Sequence, residues 1–250
     1  MAITIFSFSA SAQLMTLPTV TVMADSNLGV VVAEIARDYS KENNISVNNS
    51  FLSQNAQQEQ INEGSAADIL ITAKQDWIEE LKSRGLIDIY SPTNIASDKL
   101  VLIGPSSSKV VSMGAGRLPT NAMIEESSGN PMFLLGNPEN LLEGVYGKES
   151  MRSLGIASDF ERYTLYIKDL EQIFDMVANQ NAFAICFHSS TIGRKGIRII
   201  DYIPEVAHKS IDYYAVVIAG DNMDQARNFL NYLKSDKVKK IFRKYGFFTN

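Results

Sequence analysis

From Thr19 onward, short apolar runs alternate with stretches in which apolar residues recur every three or four positions. Val20-Thr21-Val22-Met23-Ala24 reads as a buried strand. Leu28, Val31, Val32, Ile35, Ala36 and Tyr39 follow at helical spacing, with Asp25 or Ser26 as the expected N-cap. Ile45-Ser46-Val47 and Ile69-Leu70-Ile71 read as the next two strands. Helices are predicted over 56–63, stopping at Gly64, and from Asp76 as an N-cap, carrying Trp77, Ile78 and Leu81 and stopping at Gly85. Strand and helix in strict alternation predict a parallel sheet flanked by helices.

The second half keeps this rhythm with more interruption. Strands are predicted over 99–103, 132–135, 182–187, 197–200 and 216–218. Helices are predicted over 143–154, around Leu170, Ile173, Phe174 and Val177, and over 223–233 and 238–245. The Ser/Gly-rich stretch 104–116 reads as a loop. About five βα units and two closing helices fit two α/β lobes better than a barrel, which needs about eight regular repeats.

Composition narrows the function. The 250 residues are 45% hydrophobic and 20% charged, enough for a sizeable core. The net charge of -5 offers no concentrated basic face for nucleic acid. One cysteine, Cys186, and two histidines, His188 and His208, exclude an internal disulfide and a Cys-rich zinc site. No protein-held metal ion and no cofactor are expected. Cys186, inside Ile185-Cys186-Phe187, is expected to be a packing residue; His188 is expected to be hydrogen-bonded or at the surface, and His208 exposed. The segment 2–10 followed by Ala10-Ser11-Ala12 has the small-x-small form of a signal-peptidase site without a basic start. Residues 1–18 are therefore set aside as an atypical or truncated signal, or a tail.

Phosphate-loop, dinucleotide, nucleophile-elbow and zinc-protease motifs are absent from the sequence. The chemistry is expected instead at strand-to-helix junctions. There, unpaired N–H groups and the positive end of the helix dipole can hold an oxyanion without lysine or arginine. Three junctions qualify: Asp25-Ser26-Asn27, Ser53-Gln54-Asn55, and 140–143. Plain helix capping is the competing reading for each, since Ser, Asn and Asp cap helices everywhere.

Read in order, several segments carry a resemblance: Val20-Thr21-Val22, Ala66-Ala67-Asp68-Ile69-Leu70-Ile71, Gln75-Asp76-Trp77, Gly136-Asn137-Pro138-Glu139, Gly144-Val145-Tyr146-Gly147-Lys148-Glu149, Lys195-Gly196-Ile197, and Ile241-Phe242-Arg243-Lys244-Tyr245-Gly246-Phe247. Over about 19–247 the chain resembles the molybdate-binding proteins of ABC importers, of the type II periplasmic binding fold. The resemblance implies two lobes, 19–97 plus 213–250 and 98–212, with a hinge at the crossings near Asp98 and Asp212. It implies a periplasmic, monomeric binding protein and not an enzyme, with a molybdate- or tungstate-type oxyanion in the cleft and an ABC permease as partner. The lone Cys186 leaves no N-terminal cysteine for a lipid anchor.

The resemblance also implies where ligand donors should fall, and this chain departs at most of them. The first serine of the family falls on Asn27, or on Ser26 with a one-residue slip. The second falls on Gln54, beside Ser53. A small residue that offers a backbone N–H becomes Glu143. The next backbone donor falls near Leu170, and a tyrosine hydroxyl is lost at Phe187. Asn and Gln remain donors, but a carboxylate is another matter. Two unit charges about 4 Å apart repel by roughly 4 kcal/mol at an effective dielectric of about 20. Glu143 therefore either turns to solvent or makes the solute something other than a dianion, such as a neutral or cationic one. An enzyme on the same scaffold would use Glu143 or His188 as acid or base, with Asp25 as the partner acid.

Overall fold

The computed structural model describes residues 17–64, 67–114, 117–129 and 131–250. The candidate signal segment and cleavage site lie outside the described residues, as do Ala66 of the resemblance and the end of the Ser/Gly-rich stretch. Among the described residues, no helix is long and apolar enough to cross a membrane.

Two five-stranded sheets form the molecule. The first is built from β1 (Thr19–Asp25), β2 (Ser46–Leu52), β3 (Ile69–Thr72), β4 (Thr93–Asp98) and β10 (Ile211–Val217), in the order β2-β1-β3-β10-β4. The second is built from β5 (Leu100–Pro105), β6 (Met132–Gly136), β7 (Thr164–Ile167), β8 (Ala182–Phe187) and β9 (Ile197–Tyr202), in the order β7-β6-β8-β5-β9. The chain leaves the first sheet after Asp98 and enters the second at Leu100; it leaves the second at Tyr202 and re-enters the first at Ile211.

Both sheets are mixed, which corrects the all-parallel expectation. β2, β1 and β3 are parallel, but β10 runs antiparallel to β3 and β4. β7, β6 and β8 are parallel, while β5 is antiparallel to β8 and β9. The reversed strands are those reached by the direct connections β4–β5 and β9–β10, which carry no crossover helix.

Helices flank both sheets: α1 (Gly29–Asn43), α2 (Gln54–Asn62), α3 (Gln75–Ser83), α4 (Thr120–Glu126), α5 (Leu142–Ser153), α6 (Ala157–Phe160), α7 (Leu170–Asn179), α8 (His188–Thr191), α9 (Met223–Leu233) and α10 (Asp236–Lys244). Their apolar stripes are buried: Val31, Val32, Ile35 and Tyr39 on α1, Trp77, Ile78 and Leu81 on α3, and Val238, Ile241 and Phe242 on α10. Glycines stop α2, α3 and α5 in the left-handed conformation, at Gly64, Gly85 and Gly155. One apolar cluster runs through both sheets and joins Leu28, Tyr213 and Phe247 to Leu100, Phe133 and Phe187.

Two capping expectations fail. Neither Asp25 nor Ser26 caps α1 with its side chain; a 3-10 turn over Ser26–Leu28 intervenes. Asp76 lies inside the first turn of α3, which begins at Gln75 without a side-chain cap. His208 is not exposed: it is buried, edge-on to Tyr146 with ring centroids 6.0 Å apart.

Candidate functional site

The C-terminal ends of β1, β2 and β6 and the segment after β3 face one chamber of about 220 Å³ between the sheets. From β1 come Asp25, Ser26 and Asn27; from the entry to α2, Leu52, Ser53, Gln54 and Asn55; after β3, Lys74. The opposite wall is the β6–α5 junction, with Pro138, Glu139, Asn140, Leu141, Leu142 and Val145. Parallel strands leading into helices produce this arrangement, because each junction turns helix N–H groups toward the gap. The chamber adjoins a larger groove of about 800 Å³ that shares Gln54, Lys74, Leu142 and Val145 and is edged by charges of both signs, Asp76 and Glu149 as well as Lys148, Arg152 and Lys209.

Ser26, Asn27, Ser53 and Gln54 thus line one chamber, while Glu143, Leu170 and Phe187 are not among its lining residues. Ser53 also caps α2, accepting a hydrogen bond from the Ala56 N–H at 3.4 Å. The Asn27 amide donates to the Tyr213 hydroxyl at 2.5 Å, and its Oδ1 is buried without a hydrogen-bond partner. Tyr213 is fully buried, and burial, then the negative charge of Asp98, push its hydroxyl well above the usual range. Leu170 opens α7, where Asp169 caps by accepting from the Glu171 N–H, and packs into the apolar cluster of the second sheet. Phe187 ends β8, is fully buried, and lies against Tyr146 with ring centroids 5.9 Å apart.

Asp25 is a buried acid whose oxygens are filled. Gln57 Nε2 and Thr72 Oγ1 donate to Oδ1 at 3.1 and 3.2 Å, and the Ala73 N–H donates to Oδ2 at 2.8 Å. Burial nevertheless pushes its carboxyl up to about 6.

Glu143 points neither to solvent nor into the chamber. Its residue is 2% exposed, and Ser190 donates its hydroxyl to Oε1 at 3.3 Å. The reason lies in the next residue. A Cβ on Gly144 would stand 2.0 Å from the Gly136 carbonyl oxygen, so the first turn of α5 is pressed onto the end of β6. That contact orients the turn so that Glu143 faces inward. Burial raises its carboxyl above the ordinary range.

A second buried acid lies where the chain crosses between sheets. Asp98, 5% exposed, accepts from the Ser189 hydroxyl at 2.5 Å, the Ser189 N–H at 3.2 Å and the Lys99 N–H at 2.8 Å. Burial pushes it up to about 7, against those hydrogen bonds, and the negative charge of Glu143 adds to the rise. Successive serines of α8 therefore hold two buried carboxyls. The same turn reaches the other sheet's helices through His188, whose Nδ1 lies 2.8 Å from the Gly246 carbonyl oxygen. Cys186, fully buried, packs in the second sheet's core as expected. Among the described residues, no group of three or more His, Cys, Asp or Glu side chains could hold a metal ion.

Lys74, Asp98, Ser189, Ser190 and Tyr213 were not among the expected site residues. Lys74 carries the same strand-end signal as the three junctions named above. The other four are brought to the centre only by the two sheet crossings, which no local pattern announces.

Among proteins of known description, the molybdate-binding protein ModA of Escherichia coli (strain K12) is 28% identical over 229 residues, covering 91% of this chain and 88% of that protein. A putative ABC transporter substrate-binding lipoprotein of Bacillus subtilis (strain 168) is 28% identical over 232 residues, covering 92% and 86%. The substrate-binding domain of a putative molybdenum ABC transporter from Clostridium difficile superposes with a TM-score of 0.78 at 22% identity, covering 93% of this chain and 99% of that one. The periplasmic molybdate-binding protein of Azotobacter vinelandii gives 0.72 at 17% identity, covering 92% and 99%. The family described as bacterial extracellular solute-binding proteins matches residues 20–248, nearly the whole described chain, and the protein belongs to that family.

Proposed function

We propose that the protein is the extracytoplasmic solute-binding component of an ABC importer, and that it takes a molybdate- or tungstate-type oxyanion in the chamber between its sheets. The observation that carries this reading is the convergence of helix-opening junctions from both sheets on one small chamber. α2 and α5 turn their N-terminal ends toward it, Lys74 adds a positive charge, and Ser26, Asn27, Ser53 and Gln54 supply hydroxyl and amide donors. Relatives whose names state molybdate binding or ABC transport cover most of the chain, which favours the same solute class and the same permease partnership.

In this reading 19–97 plus 213–250 form one lobe and 98–212 the other. The two direct crossings serve as the hinge, and closure around the solute presents a changed surface to the permease. The protein acts as a monomer and performs no chemistry on its solute. The chamber's buried acid, Asp25, has both oxygens engaged by groups of its own lobe and is poorly placed to serve as a base.

Isothermal calorimetry with molybdate, tungstate and sulfate, at about pH 6 and about pH 8, tests the reading. Saturable one-to-one binding of at least one oxyanion is expected. The absence of binding to all three at both pH values would overturn it.

A further inference from the structure

The chamber differs in one respect from a site built of neutral donors alone. Lys74 is the one basic side chain among its described lining residues, and Asp25 and Glu139 are the acids. Asp25 spends both oxygens on Gln57, Thr72 and Ala73. Glu139 is an exposed residue on the opposite wall. Lys74 is half-buried and, among the described residues, makes no salt bridge. Its Nζ donates to Gln58 Oε1 at 3.1 Å, a neutral acceptor one helical turn beyond Gln54 on α2, and its backbone N–H donates to Thr72 Oγ1 at 3.3 Å. Root and tip are therefore both held, and the ammonium keeps donors to spare. Lys74 and Gln54 line the groove as well as the chamber, so the lysine stands where the two meet. The groove's other charges, Asp76, Lys148, Arg152 and Lys209 on exposed residues and Glu149 on a half-buried one, do not line the chamber.

A cation without a carboxylate partner, set beside neutral donors, changes what the site selects. Hydroxyl and amide N–H groups respond to the shape of a solute and to where its acceptor atoms lie. The attraction of an ammonium scales with the charge of the solute, and half-burial weakens the screening that makes exposed charges ineffective. Resting on the oxyanion reading above, we propose that Lys74 selects the solute by charge: its ammonium, steadied by Gln58 where chamber and groove meet, pairs with the bound oxyanion and favours a dianion over a monoanion of the same shape. The pairing is non-covalent, and the neutral donors of Ser26, Asn27, Ser53 and Gln54 serve both kinds of anion alike.

The test compares tungstate with perrhenate, tetrahedral oxyanions of nearly equal size that carry two negative charges and one. Calorimetry at about pH 8, above the Asp25 value of about 6, gives both affinities. The unmodified protein should prefer tungstate. Removing a unit charge costs a dianion twice the free energy that it costs a monoanion. Lys74→Met should therefore lose about a hundredfold in affinity for tungstate and about tenfold for perrhenate, a fall of about tenfold in the preference. Lys74→Arg should keep the preference. Gln58→Glu leaves the lining of the chamber untouched but gives the ammonium a carboxylate partner, and there too the preference should fall. A lysine that only supports the structure would weaken both anions alike. An unchanged preference in Lys74→Met, or in Gln58→Glu should that variant fail to fold, overturns the proposal and leaves the oxyanion reading standing. If the unmodified protein binds neither tungstate nor molybdate nor sulfate, the proposal falls together with the reading it rests on.

Discussion

At the scale of single residues, the interior holds three acids that burial makes reluctant to ionise: Asp25, Asp98 and Glu143. For Asp98 the consequence for stability has a definite sign. Its folded value of about 7 lies above the ordinary carboxyl value of 3.8, so the folded protein holds that proton more tightly than the unfolded chain. The stabilisation is complete below about pH 4 and is lost as pH rises through about 7. The shift corresponds to no more than about 4 kcal/mol. Asp98→Asn keeps an acceptor for Ser189 and Lys99 but cannot ionise. In urea titrations at about pH 5 and about pH 8, the unmodified protein should lose stability at the higher pH, and Asp98→Asn should lose less. Equal losses in both would show that Asp98 is not the acid responsible.

Legibility at this scale follows the range of the interaction. Ser26, Asn27, Ser53 and Gln54 could be found because a strand end followed by a helix start is a local pattern. The partners that decide their behaviour are distant: Tyr213 for Asn27, and Gln57, Thr72 and Ala73 for Asp25. Asp25 looked like a cap because it precedes a helix; its carboxyl instead ties β1 to α2 and to the end of β3.

At the scale of elements, the α5 opening is fixed by backbone against backbone. A Cβ at Gly144 would meet the Gly136 carbonyl oxygen at 2.0 Å, the Gly136 carbonyl carbon at 2.6 Å and the Pro138 nitrogen at 2.9 Å, none of which can swing aside. Gly144→Ala should therefore destabilise the protein by about 3 kcal/mol and weaken solute binding by moving the chamber wall. Gly147→Ala, one turn on, meets only side chains, chiefly Leu135 Cδ2 at 3.0 Å. There the gain in helix propensity offsets the crowding, so its stability should stay within about 1 kcal/mol of the unmodified protein. Thermal melts of the two variants side by side check the contrast. Similar stability for both would mean that the α5 turn is free to shift.

The helices with strong apolar stripes were readable, as were the fully buried strands β3 and β8. β7 was not, because it is an edge strand pairing only with β6, and Leu165 and Tyr166 are 45% and 47% exposed. α4 was hidden because only Met123 of its seven residues is buried. The apolar run 216–218 marks only the end of β10; its alternating half begins at Ile211, where Asp212 and Tyr214 interrupt the apolar pattern.

At the scale of the whole molecule, the sequence order alone suggested two lobes, but not the direction of the strands that join them. β4 and β5 are separated by Lys99 alone, and β9 returns to β10 across 203–210. At the centre, α8 touches both sides through Asp98, Glu143 and Gly246. Gly246, with φ of 82°, leaves no room for a side chain, since a Cβ would lie 2.4 Å from Ile192 Cγ1. In the proposed reading these two short crossings serve as the hinge about which the chamber opens and closes.

The central claim is that this chamber closes on an oxyanion, and small-angle X-ray scattering with and without saturating molybdate tests it most directly. At about pH 6, a smaller radius of gyration is expected in the presence of molybdate, with sulfate as the comparison. An unchanged radius of gyration at a molybdate concentration that calorimetry shows to be saturating would contradict the account.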